Sequence, residues 1–247
     1  MQAIWRGLRP LSALADWIWP PRSLLSEALV DRCGVIEGEL WARLKFLGPP
    51  WCACCGLPFQ TPEPEGTLCP ACLVDRPVFT SARAALVYDA LSRGLALDLK
   101  RAGRRDGLPV FAGWLAQAGA EGLARADLLI PTPLHWTRLA QRRFNQAAWL
   151  TQALSARTGK PCDLLALKRV KARRSQEGMS AAQRRRNVAG AFKALPRVAG
   201  RKLLLVDDVF TTGATLEACA RALFKAGALE VHALTLARVV RPGESLI

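Results

Sequence analysis

The 247-residue sequence contains no run of eighteen apolar residues, and it is poor in acidic side chains. A bilayer-spanning helix needs about 20 consecutive apolar residues, so no transmembrane segment is expected. Residues 1–21 are partly apolar, but charges and Pro10 interrupt them and no small-residue cleavage site follows. A secretory signal peptide is therefore not expected either.

The shortage of acidic residues leaves the chain strongly basic. Aspartate and glutamate number 20 against 35 lysines and arginines, which gives a formal charge of +15. An excess of this size predicts anionic partners, either phosphorylated small molecules or nucleic acid. An arginine-rich composition inherited from the genome is the alternative explanation.

The eight cysteines are not spread along the chain as a disulfide framework would be, which favours a reducing, cytoplasmic location. Two C-x-x-C pairs lie thirteen residues apart, and this spacing is typical of a structural zinc ribbon. The predicted zinc ligands are Cys52, Cys55, Cys69 and Cys72. Cys54 lies inside the first pair and is interpreted as a bystander. Four thiolates leave no open position for a substrate, so this single zinc would be structural.

From residue 82 onward, apolar runs alternate with helical patterns, which predicts an α/β fold with a parallel sheet. Predicted strands cover residues 82–88, 127–130, 203–206 and 231–239, with an edge strand at 162–167. Predicted helices cover residues 91–99, 108–124 and 144–156, and another follows residues 23–26 and runs to about residue 47.

The most informative stretch covers residues 202–224. Four apolar residues predict a buried strand, and the paired carboxylates Asp207 and Asp208 follow it directly. A short hydroxyl-rich loop around Gly213 comes next, and a helical pattern begins at Leu216. This order places the loop at the carboxyl end of a strand, where open α/β sheets bind ligands and helix N-termini bind anions. An ordinary strand and capped helix would need only one aspartate and one threonine.

This combination resembles the signature with which type I phosphoribosyltransferases bind phosphoribosyl pyrophosphate (PRPP). The resemblance implies that Asp207 and Asp208, as the catalytic residues, hold the ribose hydroxyls with Mg²⁺ nearby, while the loop wraps the 5′-phosphate. It also implies that the loop after an earlier strand binds pyrophosphate. Lys100 and Arg138 are candidates for diphosphate contacts, with a solvated surface cation as the alternative for each. The implied PRPP-binding residues are Asp207, Asp208, Val209, Thr211, Thr212, Gly213, Ala214, Thr215, Pro131, Thr132, Pro133, Lys100 and Arg138.

Three further segments resemble signatures of the ComF family, zinc-ribbon phosphoribosyltransferase-like proteins linked to bacterial DNA uptake. They are residues 88–100, residues 130–146 and residues 173–192, and the resemblance covers residues 48–240. It implies a type I phosphoribosyltransferase fold preceded by a small zinc-ribbon domain. The implied organisation is an N-terminal helical segment at 1–47 with a degenerate ribbon half, a Cys₄ ribbon at 48–80 and the phosphoribosyltransferase-like domain at 81–247.

The first ribbon half departs from the family pattern. Ser23 and Ser26 stand where a first cysteine knuckle would be, and residues 37–40 stand where the second would be. Cys33 is left alone between them, and one thiol cannot hold a zinc ion. The resemblance therefore predicts one metal site and a relic ribbon fold around Trp41.

A basic loop separates the two halves of the α/β region. By resemblance it closes over PRPP, but it could equally follow a nucleic-acid backbone or be a solvated run of charge. Two hypotheses remain: a Mg²⁺-dependent transferase that moves phosphoribosyl to an unknown nitrogenous acceptor, and a non-catalytic factor that binds PRPP and single-stranded DNA for the DNA-uptake machinery. The nucleic-acid candidates are Lys168, Arg169, Lys171, Arg173, Arg174, Arg184, Arg185 and Arg186.

Overall fold

The computed structural model describes residues 20–26, 28–101, 105–134, 144–170 and 190–241. A parallel sheet in the order β1-β6-β5-β2 forms its centre, and β3 and β4 form a separate antiparallel ribbon. In chain order the elements are α1 (Gly38–Ala42), α2 (Pro70–Val74), β1 (Ser81–Val87), α3 (Ala90–Arg101), α4 (Leu108–Ala118), α5 (Ala120–Arg125), β2 (Leu128–Pro131), α6 (Gln146–Thr158), β3 (Leu167–Arg169), β4 (Phe192–Ala194), β5 (Lys202–Phe210), α7 (Ala214–Lys225) and β6 (Glu230–Arg238).

Strand β5 lies between β2 and β6, and it is buried on both faces. Leu203 and Leu205 pack on one side with α7 and the cysteine-bearing segment. Leu204 and Val206 pack on the other side with α4 and α6. The continuous apolar run is thus explained by helices on both faces, and the predicted α/β fold is confirmed. No helix of the described ranges is long and apolar enough to cross a bilayer.

The helix predicted over residues 108–124 is interrupted at Gly119. A Cβ atom on Gly119 would lie 2.5 Å from a methyl group of Leu234, so the backbone approaches β6 more closely than a side chain allows. The helix ends there as α4, and the chain restarts as α5. The predicted edge strand at 162–167 is also wrong in extent, because Cys162 forms only an isolated bridge to Leu129.

The helix predicted to follow residues 23–26 and run to about residue 47 is wrong, and only α1 is helical in the described part of that range. The hydroxyl of Ser23 accepts a hydrogen bond from the backbone of Leu25, and the hydroxyl of Ser26 accepts one from Ala28. Such local hydroxyl-to-backbone bonds compete with the helical ladder. Both hydroxyls also donate to the carboxylate of Glu37.

The segment of residues 22–42 and the cysteine segment of residues 51–74 have the same local order of a bridged turn followed by a short helix. Arg22 bridges Leu29 in the first, and Trp51 bridges Pro58 in the second, with the same spacing along the chain. Both segments then reach a helix of five residues, α1 or α2. The N-caps of these helices are Glu37 and Cys69. The Glu37 carboxylate accepts a bond from Ser26 in the first turn, and the Cys69 sulfur lies beside the cysteine sulfurs of the second.

The aromatic residues after Glu37 pack onto the sheet side of the molecule. The Trp41 ring lies 5.4 Å from Phe46 and 5.6 Å from Trp114 on α4, centroid to centroid. The segment around Trp41, predicted to be a relic of a ribbon, is therefore stabilised by ring packing and by the bonds from Ser23 and Ser26 to Glu37.

The cysteine segment docks directly onto the start of β1. The backbone N–H of Ala82 donates to the carbonyl of Cys54 at 2.7 Å. Gly56 has a φ of +69°, and a Cβ atom there would lie 2.3 Å from the Ala82 carbonyl oxygen. Both the left-handed backbone and the close approach require glycine.

Gly56→Ala is expected to lower the free energy of unfolding by about 2–4 kcal/mol, because it combines a strained φ with a backbone clash. Gly66→Ala is the matched control, since Gly66 also has a positive φ but nothing lies within 4 Å of its Cβ position. The control should lose only about 1 kcal/mol. Urea unfolding measures both, and equal losses would show that docking does not depend on this contact.

Candidate functional site

The two carboxylates lie inside strand β5, which continues to Phe210 instead of ending at Val206 as predicted. Backbone pairing with β6 persists this far, since Asp207 is opposite Thr235 and Val209 is opposite Ala237. Each carboxylate accepts a bond from the next backbone N–H, at 2.9 Å from Asp208 and 2.8 Å from Val209. Both aspartates are partly buried, and their side chains leave the strand towards opposite faces.

The side chain of Asp207 shares the sheet face covered by α7. Thr132, the residue after β2, hydrogen-bonds to it, and the backbone N–H of Thr132 donates to the Val206 carbonyl at 2.9 Å. Burial, and after it the neighbouring charge of Asp208, raise the pKa of Asp207 to about 8 against the opposing bond from Thr132. The pair therefore keeps a proton near neutrality unless a ligand or cation offsets its charge.

The loop between β5 and α7 is shorter than predicted, because the helix begins at Ala214 and not at Leu216. Gly213 is its N-cap, with a φ of +75°, and a Cβ atom there would lie 2.9 Å from the Phe210 ring. The first helical bond joins the Glu217 N–H to the Gly213 carbonyl at 2.8 Å. The earlier N–H groups have no acceptor within the helix, and they face the carboxyl edge of the sheet. This geometry suits an anion.

A second helix N-terminus reaches the same edge. Asn145 caps α6, accepting a bond from the Ala147 N–H at 3.1 Å. Its amide also donates to the Thr132 carbonyl at 3.0 Å, which ties the loop after β2 to the helix. The prediction of site residues missed Asn145. Its sequence signal was an asparagine directly before a helix, where N-caps are preferred.

The described part of the candidate PRPP set therefore converges on one edge of the sheet. It consists of residues 131–133 after β2, residues 207–209 at the end of β5 and residues 211–215 at the start of α7. Lys100 belongs to α3, but its side chain is outside the described part. Arg138 is outside the described residues altogether.

Of the nucleic-acid candidates, only Lys168 and Arg169 are described, and they differ. Lys168 is exposed and lies opposite the exposed Lys193 on β4. Arg169 is partly buried, with its guanidinium 5.2 Å from the centroid of the Phe192 ring. Strand β4 was not predicted, and its pairing with β3 places Arg169 opposite Phe192. The candidates within residues 171–189, outside the described residues, are Lys171, Arg173, Arg174, Arg184, Arg185 and Arg186.

The four predicted cysteine ligands are brought together. Their sulfur atoms all lie within 4.8 Å of one another, and all four residues are buried. Backbone N–H groups of Cys55 and Cys69 donate to the Cys52 sulfur at 3.5 and 3.3 Å. Cys54 is buried but is not part of the group. Four converging thiols could hold one metal ion, and soft donors of this kind suit Zn²⁺.

Comparison with known proteins identifies the family and the fold. The family model of the phosphoribosyl transferase domain matches residues 147–244. DNA utilization protein YhgH of Salmonella typhimurium is 32% identical over 195 residues, covering 76% of this chain and 84% of that protein. Competence protein F of Haemophilus influenzae is 39% identical over 115 residues, covering 45% of this chain and 50% of that protein.

Other relatives match over a shorter part. YhgH of Escherichia coli O157:H7 is 35% identical over 159 residues, so the match spans 64% of this chain and 63% of that relative. Among solved structures, glutamine PRPP amidotransferase from B. subtilis aligns with a TM-score of 0.38 at 23% identity, over 57% of this chain and 30% of that one.

The matched domain and the parallel sheet define a type I phosphoribosyltransferase fold, and four clustered cysteines near its start could form a zinc ribbon. The chain belongs to the ComF family, which the YhgH and Competence protein F relatives represent. The resemblance on which the site residues were assigned is thus confirmed at the level of family and fold.

Asp207→Asn is expected to stabilise the protein progressively as pH rises. The folded-state pKa of Asp207 is about 8 against an ordinary value of 3.8, so folding loses stability as pH rises between these values. Asparagine never ionises and removes this loss. Urea unfolding between pH 4 and pH 9 should show a gain for the variant that is largest above pH 8 and vanishes near pH 4.

Asp163→Asn is the control of opposite sign. Its hydrogen bonds from Arg197 hold the pKa of Asp163 below its usual range, so the native carboxylate stabilises at neutral pH and this contribution is lost in acid. The pair is exposed, so the control should lose at most about 1 kcal/mol. Parallel pH profiles for the two variants would contradict the assignment of a raised pKa to Asp207.

Proposed function

We propose that the chain binds PRPP, with Mg²⁺, at the carboxyl edge of its sheet and transfers phosphoribosyl to a nitrogenous acceptor. This proposal rests mainly on one observation: Asp207 and Asp208 lie at the end of β5, and the N-terminus of α7 follows a few residues later, capped by Gly213. Carboxylates accept bonds from a vicinal diol, and the free N–H groups of a helix start suit a phosphate. Their spacing along one strand–loop–helix unit suits a ribose that carries a 5′-phosphate.

Each part of the edge has a proposed role. Asp207 and Asp208 hold the ribose hydroxyls, and residues 211–215 bind the 5′-phosphate through backbone N–H groups and hydroxyls. Residues 131–133 bind the pyrophosphate, and Asn145 positions them through its bond to the Thr132 carbonyl. Lys100 and Arg138 contribute charge to the diphosphate. Bound Mg²⁺ would neutralise the leaving pyrophosphate, and the carboxylate oxygens are donors of the kind it prefers.

The reaction needs no nucleophile from the protein. The acceptor nitrogen forms a bond to C1 of the ribose while the bond from C1 to the pyrophosphate oxygen breaks, and the electron pair leaves with pyrophosphate. The protein's contribution is to hold both ends of PRPP and to stabilise the charge that develops on the ribose.

The names of the relatives support a cellular setting of DNA utilization and competence. We propose that the protein works in the cytoplasm, in contact with the DNA-uptake machinery. The second candidate function is a non-catalytic factor that binds PRPP and single-stranded DNA. The charge of +15 and the exposed Lys168–Lys193 pair favour this candidate, because clustered cations contact phosphates.

Cys52, Cys55, Cys69 and Cys72 are proposed to hold one structural Zn²⁺. With residues 48–80 as the ribbon, residues 81–247 form the PRPP-binding domain, and the metal-free segment precedes both. No described thiol of the group is left over to bind a substrate, so the zinc supports folding and takes no part in transfer.

Calorimetric titration of PRPP with Mg²⁺ tests the binding site. The Asp207→Asn/Asp208→Asn pair should lose at least about tenfold in affinity, because two charge-assisted acceptors are removed. Asp127→Asn is the matched control, since Asp127 precedes β2 at the opposite edge of the sheet, where it accepts a bond from the Lys202 N–H. Normal affinity in the double variant would refute the assignment of the site.

Pyrophosphate release on adding candidate bases separates the two functions. Release with one base, lost in the double variant, supports the transferase and identifies its acceptor. PRPP binding without release, joined to a salt-dependent affinity for single-stranded DNA that survives Asp207→Asn, supports the accessory factor instead.

Metal analysis of purified variants tests the zinc centre. Wild type should contain about one zinc ion per chain, and Cys52→Ser should lose it because three thiolates cannot complete the tetrahedron. Cys54→Ser is the matched control, because Cys54 is equally buried in the same knuckle but outside the ligand group. Loss of zinc in both variants would contradict the assigned ligand set.

A further inference from the structure

Arg238, the last residue of β6, lies between the cysteine group and the candidate phosphate loop. Its side chain is buried, and its guanidinium donates to the carbonyl of Cys55. A second nitrogen, Nη2, is 3.6 Å from the Cys55 sulfur. The other face of the guanidinium covers the Phe210 ring, 4.4 Å from its centroid.

The charge of Arg238 has no carboxylate partner in the part of the chain that the structure describes. Its Nε is buried and has no hydrogen-bond partner there. A buried guanidinium without an anion is costly. Arg238 does contact Cys55, which belongs to the group of four thiols. This group can carry negative charge, because four thiolates around a divalent ion have a net charge of −2.

The contact continues to the candidate phosphate loop through Phe210. Arg238 and Phe210 are opposite each other on β6 and β5, and the Val239 N–H donates to the Phe210 carbonyl at 2.9 Å. The ring of Phe210 in turn fills the space beside Gly213, where even a Cβ atom would lie 2.9 Å from it. Phe210 therefore forms one wall of the turn that starts α7.

We propose that Arg238 is a positioning residue that binds the metal-loaded cysteine group and thereby holds the turn of residues 211–213 in shape. A metal held by the four thiolates would fix the Cys55 sulfur and its charge. Cys55 holds the guanidinium, and the guanidinium holds the Phe210 ring against Gly213. Metal occupancy and the order of the candidate phosphate loop are thus coupled. The use of this loop for PRPP rests on the proposed function, but the coupling itself does not.

Arg83 provides a matched control at the same interface. It is also a buried arginine from a sheet strand, with its guanidinium 4.8 Å from the Trp51 ring. It donates to the carbonyls of Ala53 and Ala82, and it pairs with Glu121 at 3.3 Å. Its described hydrogen bonds go to oxygen atoms and not to a thiol.

Metal retention against a chelator is the first readout, with Arg238→Met, Arg238→Lys and Arg83→Met compared with wild type. Loss of an outer partner of a metal ligand costs about 10–100-fold in metal affinity, and this is the loss expected for Arg238→Met. Arg238→Lys keeps the positive charge but loses the planar set of N–H donors, so its metal affinity should lie between those of Arg238→Met and wild type. Arg83→Met should retain metal as wild type does. Equal retention in Arg238→Met and Arg83→Met would overturn the proposal.

Hydrogen exchange of the backbone amides of residues 211–216 is the second readout. In wild type these amides should exchange faster once the metal is stripped. In metal-loaded Arg238→Met they should already exchange fast, and stripping should change them little. Unchanged exchange in stripped wild type would overturn the coupling. If Arg238→Met does not fold, Arg238→Lys and stripped wild type still decide between these outcomes.

PRPP titration of the same samples separates this proposal from the proposed function. Weaker binding in stripped wild type and in Arg238→Met, with Arg83→Met normal, supports both. Failure of loaded wild type to bind PRPP would refute the proposed function, and the metal and exchange readouts would still decide the role of Arg238.

Discussion

The burial of β5 between two strands and two helical layers is the constraint on which the rest of the structure depends. A strand enclosed on every side can carry polar groups only where one neighbour ends, and β5 carries Asp207 and Asp208 just beyond the end of its pairing with β2. The neighbouring strand β2 ends at the same edge, so Thr132 lies beside Asp207 although the two residues are far apart in the sequence. The proposed ligand-binding groups are thus brought together by the parallel topology and not by one motif.

The same burial makes negative charge unfavourable at this edge of the sheet. Asp207 is held where burial disfavours its charge, and the threonine beside it offsets only part of that cost. The helix starts of α6 and α7 supply partial positive charge at this edge, which favours anions in general and not one carboxylate in particular. A ligand that brings both hydroxyls and phosphates would satisfy the carboxylates and the N–H groups together.

Local patterns predicted which segments carry the candidate site, whereas contacts between distant segments were not predictable. The aspartate pair, Gly213 and the cysteine spacing are each readable within a few residues. Gly213 precedes a helix and the four cysteines converge as the pattern indicated, whereas the aspartates lie inside β5 and not after it. The extension of β5 depends on pairing with β6, which overrides the polar character of residues 207–208. The contact of Asn145 with Thr132 and that of Arg238 with Cys55 span 13 and 183 residues. No local period in the sequence reports such contacts.

The segment around Ser23, Ser26 and Glu37 shares its local plan with the cysteine segment, yet its turns are closed by hydroxyls that donate to a carboxylate. Closure of this kind needs no ion, no reduced thiol and no delivery of metal to a newly made chain. With the metal proposed for the cysteine group, only one of these two similar turns would depend on a supply of metal. Depletion of that metal would then disturb the segment that contacts β6 through Arg238 before the segment that precedes it.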